Sequence, residues 1–113
     1  MRRTACAALV VFGLMVGIAA AQTPAQIEQG KTVYAAQKCS ICHSVAGTGN
    51  KKGALDGVGS RLTAAEIRQW ITMAPEMAAK TKAERKPLMK AYPNIAKDDL
   101  DALVAYLHSL KKS

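Results

Sequence analysis

The sequence predicts an all-α fold of about four to five short helices joined by long loops. Apolar residues recur at helical spacing in several segments after residue 22, most clearly near the C-terminus. No segment shows the alternation of apolar and polar residues that is typical of a β-strand. The stretch AGTGNKKGALDGVGS, from Ala46 to Ser60, is rich in turn-forming residues and is predicted to be a loop. A loop this long in a small domain is commonly functional or wrapped around something.

The first 21 residues are predicted to be a cleaved secretory signal peptide, which leaves a single domain at residues 22–113. Two arginines precede an apolar run from Ala5 to Ile18, and the small residues that end at Ala21 match a cleavage site. The run is shorter than the roughly 20 residues needed to span a bilayer, so a retained anchor is the less favoured alternative. We therefore expect a periplasmic protein that is not stably inserted in the membrane.

The first helix is predicted to run from Thr23 to about Gln37. Thr23 and Gln26 have the spacing of a capping box, and the proline between them suits a first helical turn. Gly30 lies on the apolar face although glycine costs about 1 kcal/mol relative to alanine in a helix. Either another backbone comes close at Gly30, or the glycine is merely tolerated.

A second capping box, Thr63 with Glu66, predicts a helix over Ala64–Met73. Pro75 interrupts the pattern, and a short charged helix is predicted from Glu76 to Arg85.

The segment KPLMKAYP, Lys86–Pro93, is bracketed by prolines and is predicted to be extended. The strongest helical pattern follows, from Asp98 to Lys111. Its acidic start and basic end complement the helix macrodipole.

The segment KCSICHS contains two cysteines, Cys39 and Cys42, followed directly by His43. It is compatible with a zinc site, a redox-active disulfide or a covalently attached haem. Zinc needs four ligands, and after the signal peptide the chain offers only one further candidate, His108. Redox C-x-x-C motifs belong with strand–helix units, which the pattern lacks. Export and a core with few aromatic residues favour haem, with two thiols joined to the porphyrin and a histidine beside the iron.

These residues resemble a monohaem cytochrome c of class I, and the resemblance covers about Gln26 to Lys111. Gly30 and Tyr34 resemble the glycine and aromatic residue of that family's first helix. Three residues resemble its C-terminal helix contact: Leu103, Tyr106 and Leu107. The stretch GALDGVGSRL resembles the segment after the attachment motif, and KPLMKAYP resembles the loop that supplies the sixth iron ligand.

The resemblance implies one haem c bound covalently through Cys39 and Cys42, with His43 and Met89 as axial ligands. It also implies that the Ala54 carbonyl accepts the proton of the far nitrogen of His43, although the family usually has proline there. Other cofactor contacts are expected from apolar side chains, with plain core packing as the alternative for each, namely Leu55, Val58, Leu62, Ile67, Trp70 and Leu103.

Three methionines follow the signal peptide, and Met89 is the predicted iron ligand. Met89 lies in a proline-bounded loop before the last helix and matches the family's ligand position. Met73 and Met77 are alternatives, but core packing or a helix-end surface position accounts for Met73, and a surface or partly buried position accounts for Met77. Lys90 stands where the family often has proline, so we expect a looser loop.

Two axial ligands leave no open iron site, so the resemblance implies a one-electron carrier and not an enzyme. A haem protein that binds a small gas at a labile sixth site, or a subunit of a larger oxidoreductase, remains the alternative. Removing the signal peptide leaves 14 basic and 8 acidic residues, a net charge of +6. Lys38, Lys86 and Lys90 either ring the haem edge for acidic redox partner proteins or form a solvated basic surface. We expect a monomer that does not bind nucleic acid, since no basic run is interleaved with aromatic residues.

Overall fold

The computed structural model describes residue 13 and residues 22–113, so the predicted signal peptide lies outside the described residues except for Gly13. The described chain contains five α-helices, which confirms the all-α class. They are α1 (Pro24–Ala36), α2 (Val58–Arg61), α3 (Ala64–Thr72), α4 (Ala74–Thr81) and α5 (Lys97–His108). Two 3₁₀ turns, Cys39–Ile41 and Lys51–Gly53, lie between α1 and α2. Within this part of the chain, no helix has the length and apolar character needed to cross a membrane.

Helices α1 and α5 pack closely where Gly30 faces α5. A Cβ atom at Gly30 would collide with the main-chain oxygen of Ala102 and with the Cβ of Tyr106. One turn further along α1, the Tyr34 ring packs edge-on against Tyr106, with ring centroids 5.8 Å apart and planes at 81°. The prediction that another backbone comes close at Gly30 is confirmed.

The core lies between α1, α3 and α5, with one contribution from α2. Every residue from 102 to 107 of α5 is buried, and Leu103 is 2% exposed. The other buried apolar residues that pack in this core are Val33, Val58, Ile67 and Ile71. Nearer the surface, the Arg68 guanidinium of α3 forms an ion pair with the Asp101 carboxylate of α5, which joins α3 to α5.

The capping box predicted for α3 is confirmed, and the N-cap bond of the one predicted for α1 is present. The Thr23 hydroxyl accepts a hydrogen bond from the Gln26 amide, and both bonds of the capping box form at Thr63 and Glu66. Helix α5 ends three residues earlier than predicted. The Gly59 amide of α2 donates to the Leu110 carbonyl over 2.9 Å, so the end of the chain pairs with α2 instead of continuing α5.

The prediction of an unbroken loop over 46–60 is wrong, as is the absence of strands. Two-residue strands, β1 (Ser44–Val45) and β2 (Thr48–Gly49), form an antiparallel hairpin, and α2 begins at Val58. These elements are too short for a periodic pattern to reveal. Gly57, with φ +76°, adopts the left-handed conformation that starts α2.

Helix α4 also departs from the prediction, since it begins at Ala74 and ends at Thr81. Pro75 lies inside its first turn, where a missing amide hydrogen removes no helical hydrogen bond. The break between α3 and α4 falls at Met73, and Lys82, with φ +56°, ends α4 before the predicted boundary.

Candidate functional site

All but one of the predicted site residues line a single cavity. Its volume of about 700 Å³ lies within the usual range of ligand pockets. The predicted residues that line it are Cys39, Cys42, His43, Leu55, Leu62, Trp70 and Met89. The expected contacts Val58, Ile67 and Leu103 line it as well. Ala54 does not. The structure thus brings together residues from five separate segments around one largely apolar space.

The CSICH segment forms a tight turn that places its three functional side chains on one short arc. The turn is closed by the Cys39 carbonyl, which accepts hydrogen bonds from the amides of Cys42 and His43 at 3.2 and 2.9 Å. No disulfide joins the two cysteines, and burial raises the pKa of the Cys39 thiol to about 11. A redox-active thiol needs a lowered pKa, so this turn does not favour disulfide exchange. Nor do the described residues contain a cluster of three or more His, Cys, Asp or Glu side chains suited to a metal ion.

His43 is held by a main-chain carbonyl, but that carbonyl belongs to Gly53 and not to Ala54. The Nδ1–O distance is 2.9 Å, and because a carbonyl only accepts, Nδ1 carries the proton. The prediction of an Ala54 acceptor is wrong because Ala54 instead forms a bridge with Ser44, whose carbonyl binds the Leu55 amide. Burial lowers the pKa of His43, with a smaller effect from the Arg85 cation. The neutral ring keeps the Nε2 lone pair for a metal.

Of the three methionines in the described chain, Met89 is the one that lines the cavity. It is half-buried in the loop between α4 and α5. Met77 is buried in α4, and Met73 is 48% exposed at the junction of α3 and α4. The exposed position of Met73 agrees with its alternative role at a helix end, whereas Met77 is more deeply buried than the surface or partly buried position expected of it.

The charged side chains that line the cavity are all basic within the described part of the chain, namely Lys38, Arg61, Arg85 and Lys90. Lys86 is exposed but does not line it. Two large apolar side chains next to predicted site residues are exposed. Ile41, which precedes Cys42, is 66% exposed, and Leu88, which precedes Met89, is 46% exposed.

Sequence reasoning did not identify the arginines or the lining tyrosines, Tyr34 and Tyr92, as site residues. The carboxylates of a porphyrin need basic partners, so the basic residues of the sequence were the signal that could have indicated the arginines.

Comparison with known proteins identifies the family. The sequence model described as Cytochrome c matches residues 27–111, which is most of the chain. The chain belongs to the cytochrome c family. As a member of that family it carries covalently bound haem c with its iron. The cavity fits such a group, because apolar walls suit the macrocycle, thiols and an imidazole lie on one turn, and basic side chains suit its carboxylates.

One relative is cytochrome c oxidase subunit 2 from Alkalihalophilus pseudofirmus, which is 33% identical over 92 residues. The alignment covers 74% of this chain but only 25% of the relative, so the chain spans about a quarter of that protein's length. No solved structure matches the chain with statistical significance.

Proposed function

We propose that the protein is a periplasmic one-electron carrier with its signal peptide, residues 1–21, removed. Cys39 and Cys42 hold the haem as thioethers, and His43 and Met89 are the two axial ligands of its iron. The observation that supports this most strongly is that the attachment turn and Met89 line the same apolar cavity although they lie in separate segments. A centre with two protein ligands exchanges electrons and leaves no site for a substrate, so the protein is not an enzyme in this proposal.

The chain's own residues supply what such a centre needs, while bound haem iron supplies the reversible one-electron couple. The Gly53 carbonyl fixes the orientation of the His43 ring and makes the imidazole a better electron donor. Leu62 and Trp70 help to exclude water, which reduces the reorganisation that accompanies a change of charge. The Met89 thioether favours reduced iron and raises the potential.

The proposed ligand is tested by Met89→Ala, with Met73→Ala as the matched control outside the cavity. We expect the weak sulfur-to-iron absorption band of the oxidised protein to disappear in Met89→Ala and to persist in Met73→Ala. The spectra should be recorded on exported protein whose intact mass confirms one haem and the loss of residues 1–21. A band that survives in Met89→Ala would show that Met89 is not the ligand.

A labile sixth site is the alternative at the same centre, and two features favour testing it. Met89 lies outside any helix, and its neighbours Leu88 and Lys90 are exposed. A gas-binding protein would take up carbon monoxide rapidly when reduced at neutral pH. The electron carrier proposed here would bind it slowly, because Met89 must first leave.

A second alternative is an electron-entry subunit of a larger oxidoreductase, which the oxidase-subunit relative supports. Gel filtration of a native membrane and periplasmic extract, followed by haem staining, separates the two cases. A free carrier elutes at the size of one small domain, whereas a bound subunit elutes with a large complex.

A further inference from the structure

We propose that Arg85 is a positioning residue that ties the methionine loop, residues 82–96, to the attachment turn, residues 39–43. The Arg85 Nη2 atom donates a hydrogen bond to the main-chain carbonyl of Cys42, with an N–O distance of 2.6 Å. The two residues are 43 positions apart, so this bond joins segments that are distant in the sequence. The inference rests on the proposed role of Met89, which lies in the same loop.

Gly53 makes room for this contact. A Cβ atom at Gly53 would collide with the Arg85 guanidinium and with the same Cys42 oxygen that accepts its hydrogen bond. The Gly53 carbonyl in turn accepts the hydrogen bond of His43. One guanidinium therefore packs against both main-chain segments that position His43, while its own backbone belongs to the loop that carries Met89.

The stretch from residue 84 to residue 91 is held to the rest of the described chain by few hydrogen bonds, which makes this one important. Among the described residues, no main-chain hydrogen bond joins this stretch to the rest of the protein. The nearest on either side are Ala83 to Ala78, at 2.9 Å, and Tyr92 to Ile71, at 2.8 Å. The Arg85 side chain donates its hydrogen bond to Cys42 from within this stretch. The Lys90 ammonium lies 5.2 Å from the centre of the Tyr92 ring. Met89 lies midway along this weakly held segment.

Two consequences follow from a cation anchored beside the attachment turn. The bond holds the Met89 loop against the cavity, so its loss favours external ligands that compete with Met89. The guanidinium charge also lies near His43 and disfavours oxidised iron, which carries one more positive charge than reduced iron. Removal of Arg85 should therefore loosen the sixth ligand and lower the midpoint potential together.

The experiment measures imidazole binding to the oxidised, haem-loaded protein, together with its midpoint potential. Arg85→Gln is expected to bind imidazole about tenfold more tightly than the wild type, because a hydrogen bond from a charged donor is lost. Arg85→Lys keeps the charge without the planar fork and should lie between them. Lys82→Gln is the matched control, since it removes an exposed charge three residues away that makes no side-chain hydrogen bond within the described chain.

A double-variant cycle separates this inference from the ligand assignment. In a Met89→Ala background, adding Arg85→Gln should change imidazole affinity by less than about twofold, since the competing ligand is already absent. Unchanged affinity in Arg85→Gln, or an equal effect of Lys82→Gln, would overturn the role of Arg85. Persistence of the sulfur-to-iron band in Met89→Ala would instead overturn the ligand assignment.

Discussion

Tyr34 carries a buried hydroxyl that has no hydrogen-bond partner in the described part of the chain. Burial raises the pKa of Tyr34 to about 12, so the group stays neutral at physiological pH. An unpaired buried hydroxyl loses its hydrogen bonds to water and gains none in return, at a cost of about 1–3 kcal/mol. The aromatic ring keeps the residue in place through its edge-on contact with Tyr106.

We therefore expect Tyr34→Phe to raise the free energy of unfolding by about 1 kcal/mol or more. The variant keeps the ring and removes only the unpaired oxygen. Denaturant unfolding of the haem-loaded protein measures the change, with Tyr106→Phe as a control that preserves the Tyr34 hydroxyl. A loss of stability specific to Tyr34→Phe would mean that this hydroxyl has a partner in the loaded protein.

At the scale of the elements, the contact between α1 and α5 sets the distance between the two terminal helices. Gly30 allows this contact because its missing side chain leaves room for the α5 backbone at Ala102. Helix propensity alone would favour alanine at residue 30 by about 1 kcal/mol. Packing opposes that preference, since any added atom meets a buried carbonyl that belongs to a rigid helix.

Gly30→Ala should lower the free energy of unfolding by about 1–3 kcal/mol, because the strain of overpacking exceeds the gain in helix propensity. Thermal or denaturant unfolding of the loaded protein gives the value. Thr32→Ala, at an exposed position of the same helix, is the control and should be neutral or slightly stabilising. An equally stable Gly30→Ala variant would show that α1 can shift away from α5 at little cost.

The predictability of each element follows the range of the interactions that form it. Helices α1 and α3 were predictable because a cap lies three residues from its partner and the apolar period repeats along the same segment. The hairpin and α2 were not, since each is too short to repeat a pattern. The site divides in the same way. Cys39, Cys42 and His43 form a local motif that can be recognised in the sequence. The bond of Arg85 to Cys42 spans 43 residues, and no local sequence pattern in either segment indicates it.

At the scale of the whole molecule, charge is distributed unevenly around the cavity. Four basic side chains line it, and no acidic side chain does within the described residues. Acidic residues are concentrated elsewhere, for example in the first turn of α5 at Asp98 and Asp99. Two apolar side chains are exposed on this side of the molecule, Ile41 within the attachment turn and Leu88 next to Met89. A partner with an acidic rim would be drawn to this face by its charge.

Electron transfer to an acidic redox protein should therefore slow as salt is added. We expect the second-order rate to fall by about tenfold or more as ionic strength rises from about 0.01 to 0.2 M, because screening shortens the range of the attraction. Lys90→Gln should lower the rate at low salt more than Lys31→Gln, which removes an exposed charge from α1 outside the cavity lining. Stopped-flow measurement across the salt series compares the two variants at equal net charge. Equal effects of the two variants would mean that the protein's overall charge attracts the partner. A rate that does not depend on salt would mean that these lysines are simply solvated and do not bind a partner.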